Sequence, residues 1–166
     1  MTGGAVSRRY VAPMNLPPAT GMAYLRYAFG QMLKLVDLLG EPLLNERPTE
    51  QGTNAVGALV LHCCAVCEFW LGHVALGRAT SRDRAAEFDR RSTPVECHTA
   101  VSRALTQAEH DLQRLQAGAG VPHDARLRLH GGGSDDDVLL HVIEELFQHL
   151  GQMEVAKDVL LVAKQR

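Results

Sequence analysis

Apolar residues recur at helical spacing along most of the chain. In the first such stretch they follow one another three and four positions apart, at Met22, Leu25, Phe29, Met32, Val36 and Leu39. This spacing predicts a helix with one buried stripe, and Gly40 and Pro42 are predicted to end it. Residues 1–20 contain glycine and proline without periodicity, so we expect an irregular N-terminal arm followed by a bundle over 21–166.

A second stretch predicts a helix from about Asn54 to Leu76, with Gly77 just beyond its end. Its expected core positions are Val56, Leu59, Cys63, Val66, Trp70 and Val74. The charged segment that follows, RATSRDRAAEFDRRS at 78–92, is predicted to be a connector that can hold a short helical turn.

Capping signals mark the start of two further helices. Thr93 precedes a proline and stands three residues before Glu96, which predicts a capping box, and this helix should run to the AGAG at 117–120. Ser134 precedes three aspartates that complement a helix N-terminus, and this helix should run to about Val162.

The segment between those two helices, VPHDARLRLHGGG at 121–133, alternates in polarity around Arg126 to Leu129. It is too short to build a sheet, so we predict a loop or one short extended piece. Four helices without internal repeats indicate an all-α fold, a four-helix bundle in a single domain.

Composition excludes several classes of protein. Of the 166 residues 46% are hydrophobic and 22% charged, with a formal net charge of -2, which is typical of a globular protein and offers no strong field for nucleic acid. The N-terminus lacks the apolar run of a signal peptide, and no uncharged apolar stretch reaches ~20 residues. We therefore expect a cytoplasmic protein with neither a membrane nor a nucleic acid as partner.

The segment EELFQHLGQ at 144–152 places a carboxylate and an imidazole on a helix that is otherwise ordinarily amphipathic. Glu145 and His149 are four residues apart, so both can present a ligand atom to one point between helices. His141 lies one turn earlier on the same face, and His62 lies on the apolar seam of the second helix. Bundles build metal sites in this way, although a buried core histidine and a surface Glu-His ion pair would give the same spacing.

The four cysteines offer a rival site, since Cys64 and Cys67 have the C-x-x-C spacing of redox and zinc motifs. They fall inside a predicted helix, however, where no helix N-terminus lowers a thiol pKa, and Cys97 stands alone. We predict small buried core residues instead, with no disulfide scaffold. Five histidines have no partner at ligand spacing and are assigned no function: His73, His98, His110, His123 and His130.

Two stretches resemble a known superfamily. LVLHCCAVCEFWLGHVALG at 59–77 and LLHVIEELFQHLGQ at 139–152 are similar to the metal-binding helices of the DinB/YfiT-like four-helix-bundle metalloenzymes. The nearest likeness is to the branch of mycothiol-dependent maleylpyruvate isomerase and related thiol S-transferases. The resemblance covers nearly the whole chain after residue 20, and it implies that His62, Glu145 and His149 are metal ligands.

Two imidazoles and one carboxylate would leave an open position on a divalent cation. Zinc is expected first, with nickel, iron and manganese as alternatives. The resemblance implies that a low-molecular-weight thiol such as mycothiol reacts there with a small electrophile, in S-transfer or isomerisation. His141 and Glu144 are the predicted catalytic residues, as a proton carrier or as a partner of the ligands.

Two other hypotheses stay open. Water at the open position would make the protein a metal-dependent hydrolase. Alternatively, the bundle is a non-catalytic, stress-related binder of a ligand or partner, with its metal structural or absent. Association as a homodimer is also compatible with the resemblance, but the sequence locates no interface.

Overall fold

The computed structural model of the protein describes residues 11, 12, 14–49 and 52–164. Over these residues it is all-α, so the predicted bundle of four long helices is confirmed. The helices are α1 (Pro18–Leu44), α2 (Val56–Cys67), α3 (Arg84–Glu87), α4 (Pro94–Gln116) and α5 (Asp135–Ala163). A π-helical segment (Glu68–Ala75) continues α2, and a 3₁₀ turn (Asp124–Arg128) precedes α5.

The core lies between the four long helices. α1 and α2 each pack against both α4 and α5. Large apolar side chains from every long helix, including Phe29, Leu59, Leu112 and Leu146, are fully buried there. Burial of such side chains is the main favourable term in folding, at about 25 cal/mol for each Å² of apolar surface. For the site, the important contact is that between α2 and α5.

Helix α1 is longer than the apolar stripe predicted. It begins with Pro18, whose fixed φ suits the first helical position. At Gly40 the backbone leaves helical geometry with φ 63° and ψ 173°, as the glycine signal predicted, but one further turn continues to Leu44. Glycine adopts a positive φ readily, which allows α1 to bend sharply at this residue before the helix ends.

The predicted arm, 1–20, lies largely outside the described residues. Within the described part, Met14 is buried, and the backbone N–H groups of Asn15 and Leu16 each donate to Asp136 Oδ1 at 3.0 Å. These residues therefore pack as irregular coil over the first turn of α5. The division of the chain into an arm and a bundle remains a prediction.

The second predicted helix consists of two kinds of helix. α2 gives way at Glu68 to the π-helical segment, in which backbone hydrogen bonds span five residues instead of four. The wider turn rotates the side chains, so Trp70, a predicted core position, is only partly buried while Leu71 is fully buried. Gly77, with φ 70°, follows the end of the segment as predicted.

The stretch Val56–Ala75 is long and apolar enough to cross a membrane by length and composition alone. In the folded chain 72% of an 18-residue apolar window within this stretch is buried inside the bundle. Helices in the core of a bundle have these same properties. The packing of Val56–Ala75 between α4 and α5 therefore accounts for its apolar character.

The predicted capping box at Thr93 is present, and the predicted cap at Ser134 also proves to be a capping box. Thr93 Oγ1 accepts from the Glu96 N–H at 3.2 Å while the Thr93 N–H donates to Glu96 Oε2 at 2.7 Å. Ser134 and Asp137 make the equivalent pair at the start of α5. These interactions span three residues, which is why the sequence alone located them.

Of the two alternatives predicted for 121–133, the short extended piece is wrong, and the structure has a loop. Its 3₁₀ turn is organised around Arg126, which is only 3% exposed. The guanidinium donates to the backbone oxygens of Gly133 and Ala75 and to Asp135 Oδ1. A buried arginine with these partners requires the chain to curl around it, and alternation of polarity cannot reveal that requirement.

Candidate metal centre

The three ligands predicted from the sequence lie together between α2 and α5. One ligand atom from each of His62, Glu145 and His149 lies within 4.8 Å of the others. His149 Nε2 is 3.6 Å from Glu145 Oε2, and the two imidazole rings are 4.8 Å apart between centroids. α2 supplies the first residue and successive turns of α5 supply the other two, so the cluster depends on the packing of these helices.

His62 has two nitrogens in different situations. The residue is 1% exposed, and its Nδ1 lies 2.7 Å from Glu87 Oε2. A carboxylate can only accept, so Nδ1 carries the proton and Nε2 keeps its lone pair. Nε2 is buried and has no hydrogen-bond partner among the described residues. An unpaired buried acceptor is costly, and a cation held between Nε2, Glu145 and His149 would satisfy it.

The charge states of His62 and Glu87 match this arrangement. Burial lowers the pKa of His62, although its hydrogen bond with Glu87 works in the opposite direction. Burial raises the pKa of Glu87, but hydrogen bonds from Arg82 and His62 outweigh that effect and the net pKa is lowered. A neutral imidazole therefore faces an ionised carboxylate, which is the state of a metal-binding histidine.

Glu87 itself is held by Arg82. Arg82 Nε donates to Glu87 Oε1 at 2.7 Å, and a terminal guanidinium nitrogen donates to Oε2 at 3.0 Å. Asp83 caps the one-turn helix α3 through the N–H groups of Ala85 and Ala86, and this turn directs Glu87 toward α2. The connector is thus an ordered support for His62.

Sequence reasoning missed Glu87 and Arg82. The segment was expected to be a connector with at most a short turn, and the turn is present. Its capping aspartate was a usable signal for that turn, but a turn does not reveal which helix it packs against. Glu87 and His62 are separated by 25 positions, so no local spacing connects them.

His149 is oriented in a similar way. Its Nδ1–H donates to the side-chain oxygen of Gln152 at 3.1 Å, which leaves the Nε2 lone pair toward Glu145. Glu145 is half-buried, with 30% of its side chain exposed, whereas Val142 and Leu146 on the adjoining stripe are fully buried. The carboxylate therefore lies at the edge of the core, where a cavity reaches it.

The two predicted catalytic residues occupy different positions. His141 Nε2 is 4.0 Å from Glu145 Oε1, and its ring contacts Trp70 edge-on at 4.4 Å between centroids. Glu144 is exposed and accepts from Gln148, with Oε2 3.6 Å from His141 Nδ1. The structure thus brings His141 beside the cluster and leaves Glu144 on the solvent side of His141.

Two cavities open onto this region and share Arg128, His141 and Glu145. One, of about 490 Å³, reaches His62 and is lined by Phe69 and Trp70. The other, of about 650 Å³, extends along the start of α5. Clefts of this size accommodate small organic ligands, so a substrate can approach the ligand cluster.

The cysteines are not part of the centre. All four are free; Cys63, Cys67 and Cys97 are buried and Cys64 is partly so, as predicted. Burial raises the pKa of Cys64 to about 12 and that of Cys63 and Cys67 well above the ordinary value. Thiols in this state are poor nucleophiles, so these residues serve packing.

An all-α bundle in which facing helices present a His/Glu/His group at the end of a cavity has the architecture of the DinB-like bundles. The family model for mycothiol S-transferase matches residues 21–160. The chain belongs to this mycothiol S-transferase family. Comparison with curated proteins and comparison with solved structures each give no match.

Proposed function

We propose that this protein is a divalent-metal-dependent thiol S-transferase. The cation would be held by Nε2 of His62, a carboxylate oxygen of Glu145 and Nε2 of His149. The observation that carries the proposal is the buried Nε2 of His62, which has no hydrogen-bond partner in the part of the chain that the structure describes and whose lone pair faces the other two residues. Membership of the mycothiol S-transferase family supports a low-molecular-weight thiol as co-substrate.

The donor set fits a catalytic cation better than a purely structural one. Two neutral imidazoles and one carboxylate supply three ligands and leave a position open, as in catalytic zinc sites. We take zinc as the first choice. The same ligands also suit nickel, iron and manganese. A bound cation would lower the pKa of a coordinated thiol and make it a thiolate at neutral pH.

Among the described residues, His141 is the best-placed proton acceptor. It lies beside Glu145 and lines both cavities, and its Nδ1 is near the Glu144 carboxylate. In the proposed reaction the thiol proton passes to His141, the sulfur forms a bond to the electrophilic carbon, and the leaving group departs with its bonding electrons. Glu144 would orient His141, a positioning role supported by its Oε2 lying 3.6 Å from His141 Nδ1.

Metal content and thiol-dependent turnover test the proposal. Protein purified without a nickel column should contain close to one divalent ion, and His62→Ala and His149→Ala should each lose it. With mycothiol and 1-chloro-2,4-dinitrobenzene, the thioether and chloride should form at least 100-fold more slowly in those variants.

His110→Ala is the matched control, because His110 is exposed on α4 and takes no part in the cluster. Equal metal content in wild type and in the ligand variants would contradict the site. Bound metal with turnover that does not require a thiol would instead favour the hydrolase hypothesis.

A further inference from the structure

The cavity above His62 carries an excess of positive charge. Arg82, Arg84 and Arg128 line it. Glu145 is the one carboxylate in its lining among the described residues, and Glu87 lies behind Arg82 and pairs with it, so one positive charge remains in excess. The chain as a whole has a formal net charge of -2, so this excess is local. A cation bound at the cluster would add to it.

The three arginines are not equivalent. Arg82 is committed to Glu87 by two hydrogen bonds. The Arg128 guanidinium has no hydrogen bond or ion pair within the described part of the chain, and Arg84 has only the face of Phe88, 5.5 Å from its Cζ. Two guanidinium groups therefore line the cavity with their hydrogen-bond donors available.

Arg84 and Arg128 come from two separate segments that are both firmly anchored. Arg84 belongs to α3, which is fixed by the buried Glu87. Arg128 ends the 3₁₀ turn, which is fixed by the buried guanidinium of Arg126. The backbones that carry the two free guanidinium groups are thus held in place before any ligand arrives, which reduces the entropy lost on binding.

The rest of the cavity wall is suited to a small organic anion. Phe69 and Trp70 supply apolar and aromatic surface, and Thr80 and Ser81 supply hydroxyl donors. A planar guanidinium binds a carboxylate through two parallel hydrogen bonds, which gives both affinity and orientation. A molecule whose carboxylate meets the arginines and whose apolar part lies along Trp70 would point toward the ligand cluster.

We propose that Arg84 and Arg128 form a carboxylate subsite that selects a small carboxylate-bearing substrate. The inference rests on the proposed function for what the substrate undergoes, but binding of the carboxylate does not require turnover. The carboxylate can belong to the acceptor electrophile or to the thiol, since the same chemistry would recognise both. Binding and turnover experiments separate these sources.

Trp70 makes binding directly measurable, because it is the chain's one tryptophan and it lines the cavity. Quenching of its fluorescence should be compared for 4-nitrobenzoate and its neutral analogue 4-nitrobenzamide, using the protein as purified. The carboxylate should bind at least tenfold more tightly. Arg84→Gln/Arg128→Gln should abolish that preference, whereas Arg103→Gln should keep it, because Arg103 lines a different groove, between α2 and α4.

Two outcomes would overturn the subsite. One is equal affinity for the two compounds in the wild type. The other is a preference that survives in the double arginine variant. If that surviving preference disappears in His149→Ala, the carboxylate binds at the metal cluster. Matching far-UV circular dichroism and Tm values for all variants would show that a lost preference is not a lost fold.

Turnover identifies the source of the carboxylate. With mycothiol as the thiol, 3-maleimidopropionate is compared with N-ethylmaleimide. In both reactions the sulfur adds to one alkene carbon and the proton to the other, so there is no leaving group. With N-ethylmaleimide as the acceptor, N-acetylcysteine is compared with its amide. Arginine dependence in the first comparison assigns the carboxylate to the acceptor, and in the second to the thiol. No turnover in either would refute the proposed function while leaving the binding result to decide the subsite.

Discussion

His62 shows how a single buried side chain can be prepared for a cation. Its Nδ1 is held by Glu87 at 2.7 Å, which fixes the tautomer and the orientation of the ring. Phe88 lies against the same ring at 4.6 Å between centroids. Because the rotation of the His62 ring and the position of its proton are both restricted, Nε2 faces Glu145 and His149. The support comes from a carboxylate, which also raises the basicity of the ligand nitrogen.

Glu87→Gln tests this support. An amide cannot carry the charge that holds both Arg82 and the Nδ1 proton, so we expect zinc affinity to fall by about 10- to 100-fold. Competition with a chromogenic chelator would measure the change. Glu109→Gln is the control, since Glu109 pairs with Arg26 on the surface. Unchanged affinity in Glu87→Gln would show that Glu87 does not tune the ligand.

The cysteines give a second prediction at this scale. With the pKa of Cys64 raised to about 12 from its ordinary 9.0, its thiolate fraction near neutral pH should fall roughly 1,000-fold. We therefore expect very slow reaction with Ellman's reagent at pH 8 in the native protein, and rapid reaction of all four thiols in guanidinium chloride. A fast native phase assigned to Cys64 by peptide mapping would contradict the burial that raises its pKa.

Among the elements, the π-helical segment has the clearest effect on the cavity. A regular helix would have turned Trp70 toward the core, but the wider turn places it against His141 on the cavity wall. At the end of the segment Arg78 lies directly over Gly72 and makes two hydrogen bonds with Asp111, each 2.8 Å. A side chain on Gly72 would displace this guanidinium. The segment is therefore fixed to α4 by an ion pair as well as by apolar packing.

The capping box of α5 should make stability depend on pH. Burial raises the pKa of Asp137, but hydrogen bonds from Ser134 and from the Gly133 N–H outweigh this, and the net pKa lies below 3.8. The contribution of the carboxylate is thus fully present above pH 3.8 and is lost as the pH falls through the lowered value.

We expect Asp137→Asn to lower the free energy of unfolding by about 1 kcal/mol at pH 7. Urea denaturation at a series of pH values should show wild type and variant converging below pH 3.8. Asp158→Asn, near the exposed end of the same helix, should change stability by only about 0.5 kcal/mol or less. A difference between wild type and Asp137→Asn that stays constant down to the lowest pH would rule out the carboxylate as its source.

At the scale of the whole molecule, the ligand cluster joins two helices that are distant in sequence. A cation bound by His62 on α2 and by Glu145 and His149 on α5 would bind only the folded bundle. Ligands selective for the native state stabilise it by mass action, whatever chemistry they support. Metal binding should therefore be visible in thermal unfolding without any substrate.

Zinc at about 100 times its Kd should stabilise the metal-free protein by about 2.7 kcal/mol, a rise in Tm of roughly 5 to 10 °C. Differential scanning calorimetry on chelator-treated protein would measure it. His110→Ala should respond like the wild type, and His149→Ala should not respond. An equal rise in all three proteins would mean that zinc binds elsewhere.

Much of the fold was predictable because its determinants are local. The apolar stripes define α1, α2, α4 and α5, and the capping boxes at Thr93 and Ser134 place two helix starts to the residue. Such signals depend on residues within about one helical turn of each other. The 3₁₀ turn around Arg126 escaped prediction because its hydrogen-bond partners include Ala75, 51 positions away.

The sequence by itself determined that the protein is a helical bundle and that Glu145 and His149 share one face of its last helix, because helical periodicity is a property of the chain alone. Its likeness to a known family pointed to His62 as the third ligand. Only the tertiary structure decided that a charged connector folds back to hold His62 through Glu87 and Arg82. It also decided that Arg84 and Arg128 line the same cavity. These contacts form between distant segments, and their geometry depends on the packing of the whole bundle.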